Sequence, residues 1–151
     1  MPMPALPLDG SCRCGAIRIR ISKPPMITMA CHCRGCQKMS ASAYSCSAAI
    51  PSDGFEVIAG KPFIGGVHGE DVHHYHCDYC KSWIFSRMAG MDFFVNVRPT
   101  MLDDATWYAP FVETYTSTKL AFAETGAPHA YPEFPPMDAY EGLMRDYAAW
   151  R

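Results

Sequence analysis

The chain has no excess of basic residues. Its 13 Lys and Arg stand against 15 Asp and Glu, a formal net charge of −2, and the sequence pI is about 6.3. Nucleic-acid binders usually present a basic face, so nucleic acid is not an expected partner. Long apolar runs are missing too. None approaches the roughly 20 residues of a membrane-spanning helix, so no membrane partner is expected. The apolar stretch Met1-Pro2-Met3-Pro4-Ala5-Leu6-Pro7-Leu8 is proline-rich, lacks a basic start and is too short for a secretory signal. A cytoplasmic location is therefore expected. Internal repeats and low-complexity linkers are also missing, and 151 residues suit one domain spanning 1–151.

What the chain has in unusual number is cysteine, eight in all. In a reducing compartment, clustered cysteines point to metal binding or catalysis rather than to disulfides. With 49% hydrophobic residues the chain does not need metal to make up for a missing core. Metal would instead fix loops that packing leaves loose.

Period-two patterns dominate the first hundred residues. Ile17, Ile19 and Ile21 alternate with Arg18 and Arg20, the mark of a half-buried strand. Pro24-Pro25 interrupts, and Met26 to Ala30 predicts a strand leading into Cys31. Phe55, Val57 and Ala59 predict another, closed by Gly60. His73 to His76 leads into Cys77. Trp83 to Phe85 and Phe93 to Val97 are aromatic and β-branched and read as strands, the second ended by Pro99. The period then changes. Tyr140, Leu143, Met144 and Tyr147 fall at helical spacing, with Asp138 and Glu141 placed for a variant capping box. The expected architecture is mainly β with a short C-terminal helix. The proline-rich stretch 124–136 is expected to be an ordered loop or strap.

The cysteines form three clusters and one single. Cys12-Arg13-Cys14 precedes Gly15; Cys31, Cys33 and Cys36 make a C-x-C-x2-C group; Cys77 and Cys80 make a C-x2-C knuckle; Cys46 stands alone. A knuckle grips a tetrahedral zinc with two sulfurs and needs two more soft ligands from elsewhere. The simplest partition joins Cys12 and Cys14 to Cys77 and Cys80 in a closed four-thiolate site. Cys31, Cys33 and Cys36 then form a three-ligand site with an open position. Closed sites are structural, and three-ligand sites are the catalytic pattern. A disulfide framework, an iron–sulfur cluster and a single zinc with free thiols at 31–36 stand as other readings of the same spacing.

Three thiolates leave zinc a poor Lewis acid for activating water. They suit it to take a substrate thiol, which loses its proton on coordination and becomes a nucleophile toward an electrophilic carbonyl. The competing reading is a zinc-stapled binding module without chemistry, its second site closed by a fourth protein ligand such as His74 or His76. Metal storage or redox sensing is a third reading. Arg34 and Lys38 flank the open group, where they could hold a substrate carboxylate or simply face solvent. His32 is expected to point away from the metal into solvent or a backbone role. Cys46 is expected to be a buried free thiol.

Gly10-Ser11-Cys12-Arg13-Cys14-Gly15, Cys31-His32-Cys33-Arg34-Gly35-Cys36 and Cys77-Asp78-Tyr79-Cys80, in that order, resemble the glutathione-dependent formaldehyde-activating enzyme family, which includes centromere protein V. The resemblance covers residues 8–122, leaving 123–151 as a C-terminal strap and helix. It implies a β-tent zinc-binding fold of antiparallel strands. It also implies a structural zinc on Cys12, Cys14, Cys77 and Cys80, and a catalytic or exchangeable zinc on Cys31, Cys33 and Cys36. The implied activity is that of a carbon–sulfur lyase adding glutathione reversibly to formaldehyde, with a small-molecule thiol as partner. The chain departs from the family pattern where Lys81 follows the knuckle in place of glycine, where Ser40-Ala41 stands for Ser-Gly, and where Ala121-Phe122 stands for Pro-Trp. A left-handed turn at Lys81 would cost about 1 kcal/mol.

Overall fold

A computed structural model describes residues 2–67 and 69–151. The first half runs β1 (Leu8–Ser11), β2 (Arg18–Ile21), β3 (Ile27–Cys31), α1 (Arg34–Ser40), β4 (Ser45–Pro51) and β5 (Phe55–Ala59). The second half runs β6 (Phe63–Gly65), β7 (Val72–His76), β8 (Trp83–Met88), β9 (Met91–Val97), β10 (Val112–Thr114), β11 (His129–Ala130) and α2 (Tyr140–Trp150). The fold is mainly β. Among the described residues there are two sheets. One is three-stranded, ordered β1-β2-β5; the other has eight strands, ordered β11-β10-β3-β4-β9-β8-β7-β6. No helix among the described residues is long and apolar enough to cross a membrane.

The alternation in β2 does what its pattern predicts. Ile19 and Ile21 are fully buried, while Arg18 and Arg20 turn outward. Asp9 lies directly opposite Arg20 in the antiparallel β1–β2 pair. Its two oxygens take hydrogen bonds from Arg20 Nε and Nη2 at 2.7 and 3.0 Å, which pins the register. The isoleucines pack on Ile50, Ile84, Phe85, Val95 and Val97 of the large sheet. Cys12 and Cys77 belong to this same core, so the join between the sheets carries cysteine at its edge.

The large sheet is antiparallel except at one end. There β10 runs parallel to both β3 and β11. This places Thr114 beside Cys31 in register. The stretch 124–136 is ordered as expected and contributes β11. A second core gathers Ile27, Phe111 and Val112 under Leu143 and Tyr147 of α2, so the helical stripe is packing surface.

One local expectation is corrected. The capping box at Asp138 and Glu141 does not form. Ala139 is the residue before α2, it is already helical (φ −82, ψ −22), and no side chain caps it. A 3-10 turn at Met137–Ala139 leads into the helix, so no extended residue is left to fold its side chain back. The helix α1 was not anticipated from the sequence. Its N-cap is Cys33, whose sulfur accepts the Cys36 N–H at 3.3 Å. A thiol here does the work usually given to serine or aspartate. Ala41 closes the helix in the left-handed region, φ 50, and its N–H reaches the Gln37 carbonyl.

Candidate metal centres and the pocket between them

Two chain turns of similar build meet at the first cysteine group. In one, the Gly15 N–H bonds the Cys12 carbonyl at 2.9 Å and the Ile17 N–H reaches Cys12 Sγ at 3.3 Å. In the other, the Lys81 N–H bonds the Cys77 carbonyl at 2.9 Å and the Cys80 N–H reaches Cys77 Sγ at 3.5 Å. The residue after the second cysteine has positive φ in both turns, 81 at Gly15 and 61 at Lys81. Ser82 stitches them together. Its Oγ accepts the Arg13 N–H at 3.1 Å and lies 3.2 Å from Cys80 Sγ.

The four sulfurs of Cys12, Cys14, Cys77 and Cys80 all lie within 4.8 Å of one another. Cys14 Sγ is 3.6 Å from Cys12 Sγ and 3.7 Å from Cys77 Sγ. The edge of a tetrahedron with zinc–sulfur bonds of about 2.3 Å is about 3.8 Å, so the group has the dimensions of a four-thiolate zinc site. Its protonation is uneven without a cation. Burial works against ionising Cys80, but hydrogen bonds from Ser82, Cys14 and Cys77 bring its thiol down to about 5. The Cys14 thiol rises to about 11. The Ala16 backbone bond opposes that rise, and burial and the other three cysteines drive it.

Cys31, Cys33 and Cys36 form the second group, again with all sulfurs within 4.8 Å. They come from the end of β3, the cap of α1 and its first turn. A bond from the Cys36 thiol lowers Cys31 to about 5, with help from Thr114 and the Cys33 backbone. Cys36, giving that bond, is pushed far above the ordinary thiol range. Cys31 and Cys36 are thus coupled, one thiol easy to ionise and the other hard. Among the described residues no His, Cys, Asp or Glu joins as a fourth ligand. His74 Nδ1 instead meets Ser86 Oγ at 2.7 Å, and both His74 and His76 lie against the Trp83 ring.

His32, between two of these cysteines, points away from them but not into solvent. It is fully buried, and its Nε2 donates to Glu113 Oε2 at 3.3 Å. Glu113 also binds Lys119 Nζ at 2.7 Å and Thr125 Oγ1 at 2.5 Å. The His32 carbonyl takes bonds from Gln37 Nε2 at 2.8 Å and Thr118 Oγ1 at 2.9 Å. The peptide carrying the cysteines is therefore held on both sides. Arg34 and Lys38 are exposed, and Arg34 bonds Gln37 on its own helix.

A pocket of about 380 Å³ lies between the two groups. Ser45 and Cys46 of β4 line it, along with Ser82, Trp83 and Arg98. Ser45 is opposite Cys31 in the β3–β4 register, and Met39 and Ser40 of α1 line the pocket too, so it adjoins the three-cysteine group. Cys46 is half-buried here, less enclosed than expected, and burial raises its pKa. Sequence reasoning missed Arg98, Ser45 and Glu113. Arg98 had one readable signal, a charge directly after the apolar end of β9.

Residues 7–118 match the family profile described as glutathione-dependent formaldehyde-activating enzyme. No curated protein matches the chain. The crystal structure of a Rhodobacter sphaeroides protein shares its fold at 17% identity and a TM-score of 0.53, covering 64% of this chain and 88% of that one.

Proposed function

Because this chain belongs to the glutathione-dependent formaldehyde-activating enzyme family, we propose that it is a zinc-dependent carbon–sulfur lyase that joins a thiol such as glutathione reversibly to an aldehyde such as formaldehyde. The observation that carries this reading is the Cys31, Cys33 and Cys36 group, three converging sulfurs without a fourth protein ligand, beside a pocket of small-molecule size. Cys12, Cys14, Cys77 and Cys80 would hold a structural zinc, and Cys31, Cys33 and Cys36 a catalytic one. A zinc bound at the open site would supply the positive field in which a thiol gives up its proton near neutral pH.

The chain's own residues do the positioning. Cys33 is fixed by the Cys36 N–H, Cys31 by its place at the end of β3 beside Thr114, and the peptide between them by Gln37, Thr118 and the His32–Glu113 pair. In the reaction the thiol sulfur bonds to the carbonyl carbon, and the carbonyl π pair becomes the new C–O–H by taking a proton. The thiol's proton and the hydroxyl's balance, so no oxidant or reductant is needed. The binding-module alternative asked for a fourth protein ligand from His74 or His76. The engagement of both rings with Trp83 favours the open site instead.

Metal analysis followed by glutathione titration tests the reading, with S-hydroxymethylglutathione followed by NMR. Two zinc ions per chain and catalysed adduct exchange are expected. Cys33→Ser should keep the fold and the first zinc but lose thiol binding. One tight zinc with Cys31, Cys33 and Cys36 metal-free in fresh reduced protein would sink it.

A further inference from the structure

Arg98 follows β9 and is only 8% exposed. Among the described residues no carboxylate pairs with it. Its Nη1 donates to the Cys46 carbonyl at 3.0 Å, its Nη2 approaches Ser86 Oγ at 3.5 Å, and its Nε has no partner. The guanidinium carbon sits 3.8 Å from the centre of the Trp83 ring. Trp83 is itself held by an Nε1–H bond to Ser86 Oγ at 3.0 Å. Ser86 accepts from both, so its own hydroxyl proton goes to His74 Nδ1. The arginine is thus locked in place by its neighbours and lines the pocket beside the three-cysteine group.

A buried cation without a counter-ion is costly, which is why buried charges are almost always paired. Burial lowers the Arg98 pKa to about 10 against the pull of the nearby thiols and Tyr108, so it stays charged at neutral pH. A guanidinium offers a planar fork of donors that matches a carboxylate. The carbonyl of Cys46 and the oxygen of Ser86 use only part of that fork.

We infer that Arg98, backed by Trp83, binds a carboxylate of the substrate in this pocket, so that the enzyme selects thiols bearing a carboxylate over neutral ones. This rests on the thiol-binding reading of the Cys31, Cys33 and Cys36 group. It assigns the anchor to a buried residue 62 positions beyond Cys36, in place of the exposed Arg34 and Lys38 of the cysteine segment. The thiolate centre is another possible counter-charge for Arg98, and the two roles differ in what they select. A counter-ion to the centre would help every thiol alike, whereas a carboxylate anchor helps only acidic ones.

The test is calorimetric titration of zinc-replete protein with glutathione, S-methylglutathione, glutathione diethyl ester and 2-mercaptoethanol, on the native chain and on Arg98→Met. For the native chain, the diethyl ester should bind about 10- to 100-fold more weakly than glutathione, the range expected for losing a hydrogen-bonded charge. Arg98→Met should weaken glutathione and S-methylglutathione by a similar factor and leave 2-mercaptoethanol within twofold. Equal binding of the ester and the acid overturns the inference, as does an equal loss for 2-mercaptoethanol in Arg98→Met. If that variant does not fold, Arg98→Gln takes its place and the same outcomes decide. S-methylglutathione has no thiol to give, so it separates the two readings. Arg98-dependent binding of it, with no effect of glutathione on the absorption of cobalt-substituted protein, would keep the anchor and remove thiol activation.

Discussion

Lys81 and Ala41 both hold left-handed backbone, φ 61 and φ 50, in places where glycine would be at ease. A side chain in that region costs about 1–2 kcal/mol. The Lys81 ammonium recovers little, since its bond to Asp78 at 3.1 Å joins two exposed groups. Lys81→Gly and Ala41→Gly should each raise stability by about 0.5–1 kcal/mol, glycine's larger unfolded-state entropy trimming the gain. Urea unfolding of zinc-replete protein measures it. Glu113 calls for the opposite change. Burial pushes its carboxyl up, but the bonds from Lys119, Thr125 and His32 outweigh that and leave its pKa below the ordinary 4.5. A depressed carboxylate adds stability that is complete above pH 4.5 and drains away as pH falls through the lower folded value. Glu113→Gln should therefore lose about 1–3 kcal/mol near pH 7 and show a flatter decline toward acid than the native chain, read from urea midpoints across pH.

Elements whose pattern repeats within a few residues were legible from the sequence: the Ile17–Ile21 alternation, the aromatic strands around Trp83 and Phe94, and the Leu143–Tyr147 helical stripe. The cysteine clusters were legible because thiol spacing is local, and the joining of Cys12 and Cys14 to Cys77 and Cys80 followed from counting ligands to four. Elements defined by distant partners were not. β10 and β11 are three and two residues long and exist through parallel pairing, β10 with β3 and β11 with β10. The helix α1 was hidden because its cap is a cysteine, a residue read for its chemistry and not for its backbone. Arg98 was missed because its meaning depends on Trp83, Ser86 and Cys46, which no spacing rule connects to it. The β1 strand shows another non-local constraint. A Cβ on Gly10 would come within 2.2 Å of the Met101 carbonyl oxygen, at the bridge between Gly10 and Leu102. The obstacle is backbone and cannot rotate away. Gly10→Ala should lose about 1–3 kcal/mol or more and loosen the Cys12 turn that follows, which faster zinc release to a chromophoric chelator would register.

At the scale of the molecule, the four-cysteine group spans the join between the small sheet and the large one. Cys12 and Cys14 extend from the β1–β2 hairpin, and Cys77 and Cys80 from the β7–β8 turn. Stripping metal from this group should free the hairpin from the large sheet while the large sheet keeps its pairing. Hydrogen exchange should then rise first in 8–21 and 55–59, the strands of the small sheet. Removing metal from the three-cysteine group alone should leave those amides protected and abolish thiol binding. A graded chelation series, followed by exchange and by thiol titration together, distinguishes the two losses.

The two groups also differ in when each comes into being along a growing chain. Cys31, Cys33 and Cys36 are complete within six consecutive residues, so a metal ion can close that loop before any sheet has formed. The other group waits for a partner 63 residues away, the separation of Cys14 from Cys77, and that closure carries a chain-entropy cost that grows with the length between the ends. Synthesis from the N-terminus therefore offers the early three-sulfur trap to metal well before the late four-sulfur clasp exists. The clasp closes only once Cys77 and Cys80 have been added, long after the three-sulfur loop is complete.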